Sequence, residues 1–352
     1  MKSRNIRLDL PIWLREADPE GIVMSSRIRL ARNVAGAAFP GWAGAEEGER
    51  LCRRLLPLLE AVPPLAGGTL LRLEDAGPLD RQLLHERHLI SLELAGKGAG
   101  SAVLVAPDNS LSVMVNEEDH LHIQGLIPGL DLPGLWKIVD ALDSRIEEQI
   151  PYAASPKLGY LTACPSNVGT GLRASVMLHL PGLRLTGEAE KVVKGLNKLG
   201  LAVRGLLGEG TDAFGGMYQI SNQITLGESE PAIIERLLGI VRELIGHEKN
   251  ARLRLAETRP GLLKDRVMRA GALLTHARIM STEEALDLLS ATRLGLALGW
   301  VKGLDWKGLD ELFLLVQPAH LQQKTGRSLS PEERDEVRAD LLRERTAAIE
   351  WN

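Results

Sequence analysis

Residues 164–180 read Cys-Pro-Ser-Asn-Val-Gly-Thr-Gly-Leu-Arg-Ala-Ser-Val-Met-Leu-His-Leu, a glycine-rich loop that runs directly into a strand. Alternation puts Arg173, Ser175, Met177 and His179 on one face and Ala174, Val176 and Leu178 on the other. The strand therefore has a polar-capable face with an arginine at its start. The loop is not a Walker-type phosphate loop, because no Gly-Lys-Ser/Thr ending follows. Cys164 at its head fits either a nucleophile or simple packing.

Working outward, residues 158–164 read as a strand before the loop. Residues 186–199 read as a helix stopped by Gly200, followed by strands over 201–207 and 217–226. A long helix starts near Glu230. Upstream, 22–30 is a strand leading into a loop, and 45–59 is helical. Pro63-Pro64 and Gly67-Gly68 punctuate the chain after that helix. Strands 102–105 and 111–115 flank Pro107-Asp108-Asn109, a hairpin signal, and 135–150 is an amphipathic helix. Helices scattered irregularly among hairpin-connected strands predict an α+β fold, a mostly antiparallel sheet flanked by helices. From about Ala251 strand signals stop, apart from 312–316. The expected organisation is a catalytic domain over 1–250 and a helical C-terminal domain over 251–352.

The 352 residues are 44% hydrophobic and 25% charged, with a formal net charge of −4. That balance gives no reason to expect broad affinity for nucleic acid or an anionic membrane. Two cysteines, Cys52 and Cys164, suggest no disulfide framework. No signal peptide and no run of apolar residues long enough to span a bilayer is evident, so a soluble, cytoplasmic protein is expected.

Three further clusters carry chemistry. In Ser25-Ser26-Arg27-Ile28-Arg29, strand alternation projects Arg27 and Arg29 together, an arrangement suited to polyphosphate; taken alone it also fits a solvated edge strand. Asn116-Glu117-Glu118-Asp119-His120-Leu121-His122 packs three carboxylates side by side, which repel unless cations meet them. A charged turn, or a metal site using His120 and His122 on one strand face, fits the same residues. Arg204-Gly205-Leu206-Leu207-Gly208-Glu209 sets another arginine beside an isolated carboxylate. The pattern Gly208-x-Gly210-x-x-Ala213 mimics a dinucleotide fingerprint, but Phe214-Gly-Gly breaks the helix that a nicotinamide site needs. Four arginines on strands beside glycine-rich loops, with two carboxylate positions, fit phosphoryl transfer, where catalysis is mostly positioning and charge neutralisation.

The segments SSRIRLARN at 25–33, NEEDHLHIQ at 116–124, CPSNVGTGLRASV at 164–176 and RGLLGEGTDAFGGMYQISNQ at 204–223 resemble, in order and spacing, the catalytic domain of the phosphagen (guanidino) kinases. The resemblance implies that Arg27, Arg29, Arg173 and Arg204 grip the phosphates of ATP. Ser25, Ser26, Ile28, Ala174, Ser175, Val176, Met177, Gly205, Leu206, Leu207, Gly208 and Glu209 complete that nucleotide site, with His88 and His122 beside it. It implies that Glu118 and Glu209 clamp the acceptor guanidinium, that Glu117 holds the Mg²⁺ shell through water, and that Cys164 sits beside the guanidinium. No protein-ligated metal is implied; the cofactors are ATP and Mg²⁺.

Two departures refine the resemblance. The small-metabolite kinases of this family carry a helical domain before the arginine motif, whereas here that motif begins almost at once and the chain continues well beyond the catalytic segments. This layout, with RDEVRA at 334–339, resembles the protein arginine kinase branch, in which Arg334, Asp335, Arg338 and Ala339 form an allosteric phosphoarginine pocket. Ser330-Pro331-Glu332-Glu333 is a capping box that starts a helix there, and spacing alone also fits an exposed, salt-bridged helix. The second departure is His122, where the family usually has arginine; a histidine charged only part of the time near pH 7 predicts altered ATP affinity or pH dependence. The implied function is ATP-dependent phosphorylation of protein arginines, marking proteins for Clp-type degradation in a stress response. Its implied partners are protein substrates, a zinc-binding activator, a heat-shock repressor and a Clp unfoldase, with a homodimer as the assembly. The alternatives are a kinase of a small guanidino metabolite and a non-catalytic adaptor that keeps the fold.

Overall fold

Strand β1 (Val23–Arg32) lies near the middle of an eight-stranded sheet in a computed structural model that describes residues 11–14, 18–205 and 214–352. The other members are β2 (Thr69–Arg72), β3 (Ala102–Val105), β4 (Leu111–Val115), β5 (Leu121–Pro128), β8 (Leu172–His179), β9 (Leu201–Gly205) and β10 (Met217–Asn222); β6 (Ala154–Ser155) and β7 (Gly159–Tyr160) form a separate two-residue hairpin. The order across the sheet is β2-β3-β4-β5-β1-β8-β10-β9, antiparallel at every pairing. This is the α+β sheet that the hairpin spacing predicts.

One face is apolar because every second residue is. Ile28, Leu30, Val113, Ile123, Ala174, Val176 and Ile220 meet helices α1 (Ala45–Ala61), α4 (Leu132–Glu147) and α7 (Glu230–Thr258) in the largest core cluster. Gly125 lets α4 approach β5: a Cβ there would lie 2.6 Å from Val139 and 2.7 Å from Leu135. Among the described residues the opposite face is covered only at its ends. Helices α2 (Pro78–Glu86) and α3 (Leu92–Ala95) bring Leu84 and Leu94 onto Val103, Val105 and Met114. At the other end Met24, Leu126 and Met217 pack with Trp13, Leu14 and the C-terminal helices. Between these lids lies the arginine-bearing strip.

The chain after β10 is helical. Between α4 and α7, α6 (Ala189–Lys198) is the helix expected over 186–199, and a short α5 (Pro181–Leu185) precedes it. Helices α8 (Pro260–His276), α9 (Thr282–Ala297), α10 (Trp306–Leu315), α11 (Pro318–Thr325) and α12 (Pro331–Thr346) come after α7, with a small pairing of Val301–Lys302 and Glu350–Trp351. Helix α7 runs unbroken through positions 250 and 251. The strand expected at 312–316 is instead the end of α10. That helix buries Leu309, Leu312, Phe313 and Leu314 nearly all round, so its apolar run has no visible period, and the Asp305 side chain caps its start by accepting from Gly308 N–H. The strand expected over 158–164 shrinks to Gly159–Tyr160. Among the described residues no helix is long and apolar enough to cross a membrane.

Candidate active site

Register builds a strip of arginines on the open face of the sheet. Arg29 lies directly opposite Arg173 on β8 and Gln124 on β5, and Arg27 lies opposite Ser175, which in turn faces Ser221. Arg204 on β9 pairs with Gln219, and the Arg27 guanidinium donates to Gln219 Oε1 at 2.8 Å. The basic groups feel one another. Burial, then Arg29, Arg173 and Arg204, push the Arg27 guanidinium well below its ordinary value. Burial and then Arg173 bring Arg29 down to about 10, against the pull of Glu117. A guanidinium keeps its proton even so, and the repulsion is relieved by an anion laid across the strip. Ser25 and Met177 share this face, whereas Ser26, Ile28, Ala174 and Val176 turn into the core or onto loops behind it. Ser26 Oγ donates to Gly129 O at 2.8 Å, so it shapes the turn after β5. Gly205 ends β9; Leu206, Leu207, Gly208 and Glu209 lie outside the described residues.

The acidic turn closes one end of the strip. Asn116 takes a left-handed φ of 54° and its amide donates to Gly48 O and Gly100 O, which pins the turn. The three carboxylates then separate. Asp119 is fully buried; its Oδ1 accepts from Asn33 Nδ2 and Ala163 N–H, both at 2.6 Å. Glu117 is buried and accepts from Ser91 Oγ and His122 Nδ1. Glu118 alone is exposed, at the mouth. Burial, Asp119 and Glu117 raise its proton affinity, opposed by His122.

His122 therefore stands between Glu117 and Asp119, whose Oδ2 is 3.3 Å from its Nε2. Burial works against its charge, but the hydrogen bonds and charges of both carboxylates override that and lift it to about 9. Burial likewise opposes ionisation of Glu117, yet His122 and Ser91 hold it down to about 2. This corrects the expectation of a partly charged histidine: the cation that the acidic cluster requires is His122 itself. His120 does not share its face; it sits in the turn, accepting Val34 N–H at Nδ1 and meeting Ala38 O at Nε2. The stabilisation from His122 is complete below its unfolded value of 6.5 and is lost as pH rises through about 9. That from Glu117 is complete above 4.5 and is lost as pH falls through about 2. With His122 charged throughout, KM for ATP should stay within about twofold from pH 6 to 8, measured by initial rates; a rise of about tenfold would place the titration of His122 inside that range.

Cys164 is half-buried, its Sγ 3.0 Å from Ser166 Oγ. The Asp119–Ala163 bond ties this loop to the acidic turn. Burial and then Arg204 lower the proton affinity of Arg173, the first arginine after the loop, opposed by Cys164 and Glu118. Beneath the loop, buried Arg32 pairs with Asp143 at 2.7 Å, donates to Thr170 O at 2.8 Å and lies 3.7 Å from the Tyr160 ring centroid. Cys52 is in the core, where burial pushes its thiol up to about 11, so it is packing alone. His88 completes the other side. Its backbone is left-handed (φ 59°), its carbonyl accepts from Gln124 at 2.6 Å, and its ring lies 5.4 Å from Trp13. Burial and then Arg27 drive it down to about 3, so the imidazole is neutral. Asp119, Asn33, Ser91 and Gln219 escaped the sequence reading as site residues. Asn33, Asp119 and Gln219 lie inside the quoted motifs, but adjacency made Asp119 look like one more repelling charge.

Cationic strip, exposed carboxylate and half-buried thiol together suit transfer of a phosphoryl group to a cationic acceptor. The ATP:guanido phosphotransferase C-terminal catalytic domain matches residues 59–251, and the protein-arginine kinase McsB C-terminal domain matches residues 260–352. A protein-arginine kinase of Pelotomaculum thermopropionicum is 45% identical over 341 residues, 96% of each chain. This chain belongs to the protein-arginine kinase family. By that membership it is a protein-arginine kinase, a phosphotransferase. Among solved structures, the duplicated taurocyamine kinase from Schistosoma mansoni with bound transition state analog components is 28% identical with a TM-score of 0.60, covering 69% of this chain and 36% of its own. Lombricine kinase is 26% identical with a TM-score of 0.58, covering 70% of this chain and 72% of its own.

In this kinase the RDEVRA segment lies on α12, whose capping box forms as the sequence predicts: Ser330 Oγ accepts from Glu333 N–H at 3.2 Å and Ser330 N–H donates to Glu333 at 2.8 Å. Arg338 is buried and donates to Val316 O at 2.8 Å, Met280 O at 2.7 Å and Asp335 Oδ1 at 2.5 Å. Arg334 and Asp335 are half-buried beside it, and Ala339 is in the core.

Proposed function

We propose that this chain transfers the γ-phosphoryl group of ATP to guanidinium nitrogens of arginine side chains in proteins. The observation that carries the reading is the strip holding Arg27, Arg29, Arg173 and Arg204, ended by the exposed Glu118 and the Cys164 loop. The strip binds and orients the phosphates. Glu118 receives the guanidinium, holds it in line and accepts its proton as the nitrogen–phosphorus bond forms and the bond from phosphorus to the β-bridging oxygen breaks, leaving ADP. A protonated guanidinium is a poor nucleophile, so a carboxylate whose proton affinity is raised suits this step. In this reading the sulfur of Cys164 favours the acceptor's charge. Glu209 keeps its role as second clamp by resemblance.

Mg²⁺ enters with ATP as part of the substrate and neutralises phosphate charge. The donor set fits this. The Glu117 carboxylate, engaged by Ser91 and His122, is suited to hold water rather than the ion.

The division of labour we propose is catalysis in 1–250 and regulation in 251–352, with Arg334, Asp335, Arg338 and Ala339 reading phosphoarginine. Asp335 already holds one guanidinium, that of Arg338, which supports its ability to hold another. The setting is cytoplasmic and the assembly a homodimer, with an activator protein, a heat-shock repressor and a Clp unfoldase as partners. Small guanidino acceptors form the second reading, because the solved relatives that match are named for them; they leave about 30% of this chain unmatched. ATP consumption with an arginine-bearing model protein, against free arginine, taurocyamine and lombricine at equal guanidinium concentration, separates the two. Turnover with the protein at least about tenfold above that with any free compound is expected; preference for a free compound would overturn the reading.

A further inference from the structure

The nucleotide side of the site is braced by the C-terminal helices through one carboxylate. Glu86 is the last residue of α2. Its side chain is 8% exposed and reaches the first turn of α11, more than two hundred residues away in sequence. There it accepts from Ala319 N–H at 2.9 Å and 3.1 Å, from His320 N–H at 3.3 Å and from His320 Nδ1 at 2.8 Å. Gln82 Nε2 adds a bond at 3.0 Å. These donors use the acceptor sites that a carboxylate offers. The free N–H groups and the positive end of the α11 dipole are met by a negative charge. His320, 3% exposed, is fixed by the same group.

Two residues after Glu86 comes His88, whose left-handed φ of 59° is a costly conformation for a side chain with a Cβ. Such a residue stays put only if its surroundings over-determine it. From the sheet, Gln124, which lies opposite Arg29, holds the His88 carbonyl. Trp13, buried in the core cluster shared with the C-terminal helices, stacks at a tilt on the ring. Locally, His88 N–H donates to His85 O at 2.8 Å and Ser112 Oγ to Leu89 O at 3.0 Å, and Glu86 adds a long-range anchor by fixing the end of α2 against α11. The residue so held borders the arginine strip, since Gln124 joins its carbonyl to the strand position opposite Arg29, and the charge of Arg27 disfavours a proton on its ring.

We infer that Glu86 is a positioning residue for the nucleotide site: clamped on the N-terminus of α11, it sets the end of α2 so that His88 stands beside Arg27. The C-terminal helices thus frame ATP binding. The same joint touches the RDEVRA helix, because Arg338 Nε donates to Val316 O immediately before the α11 cap at Gln317. The inference rests on the assignment of His88 to the nucleotide side.

The test is direct binding of Mg-ATP to the full chain by titration calorimetry, with no acceptor present, beside steady-state kinetics. In Glu86→Gln one charge is lost and an amide NH₂ faces the N–H donors; the Kd for Mg-ATP should rise about tenfold while KM for a protein acceptor stays within about twofold. His320→Leu removes one donor and leaves the α11 backbone on Glu86; a rise of about threefold is expected, and this variant decides the matter if Glu86→Gln does not fold. The double variant should bind no more weakly than Glu86→Gln, since both act through one joint. Unchanged Mg-ATP affinity in a folded variant overturns the inference. So does an equal loss of affinity for acceptor and nucleotide, which would show general loosening. If the unaltered chain does not bind Mg-ATP at all, the proposed function fails first, and the inference falls with it.

Discussion

Glu118→Gln is expected to lower kcat by about a hundredfold or more while leaving Mg-ATP affinity within about twofold. The reason is geometric. Of the three adjacent carboxylates, Asp119 is committed to Asn33 and Ala163 and Glu117 to Ser91 and His122, so Glu118 alone is exposed for the acceptor. Glutamine keeps its size and an acceptor oxygen but can neither take a proton nor offset the guanidinium charge. In the proposed function nucleotide binding depends on the arginine strip, which the substitution leaves intact. Single-turnover rates with saturating Mg-ATP, beside calorimetric nucleotide binding, measure both halves; a variant within about fivefold of native turnover would remove Glu118 from proton transfer.

The second large effect is expected at Asp119, which is fully buried and to which the proposed function gives no contact with a reactant. Asp119→Ala takes one of two acceptors from buried Asn33 Nδ2, which keeps Leu161 O, and removes the partner of Ala163 N–H and one side of the charged His122. Removing one member of a buried, charge-bearing network costs about 3–5 kcal/mol. The acidic turn also loses its tie to the Cys164 loop, so kcat should fall about a hundredfold even where the variant is folded. Urea unfolding and kcat together check this, and a stability loss under about 1 kcal/mol would show that the tie is dispensable.

Much of this was legible in the sequence because the period of a strand is rigid. Alternation alone assigned Arg27 and Arg29 to one face and Arg173 and Ser175 to another single face, and the sheet joins those faces through the Arg29–Arg173 pairing. Hairpin spacing gave an antiparallel sheet. The helix 306–315 was read in part as a strand because a helix apolar all round shows no period. His122 was misjudged in charge because its state depends on two carboxylates set by a turn and a strand, and pairing of that kind has no one-dimensional trace. Glu86 was invisible for the same reason: its partners Ala319 and His320 become neighbours only when α11 docks on α2.

The central claim is the nature of the bond formed. An arginine-bearing model protein, incubated with this chain and Mg-ATP and analysed by mass spectrometry without acid at any step, should carry phosphate on arginine. The mark should vanish on mild acid treatment, as a phosphoramidate does, and should be absent when Glu118→Gln replaces the native chain. Acid-stable phosphate on serine, threonine or tyrosine as the main product would contradict the account.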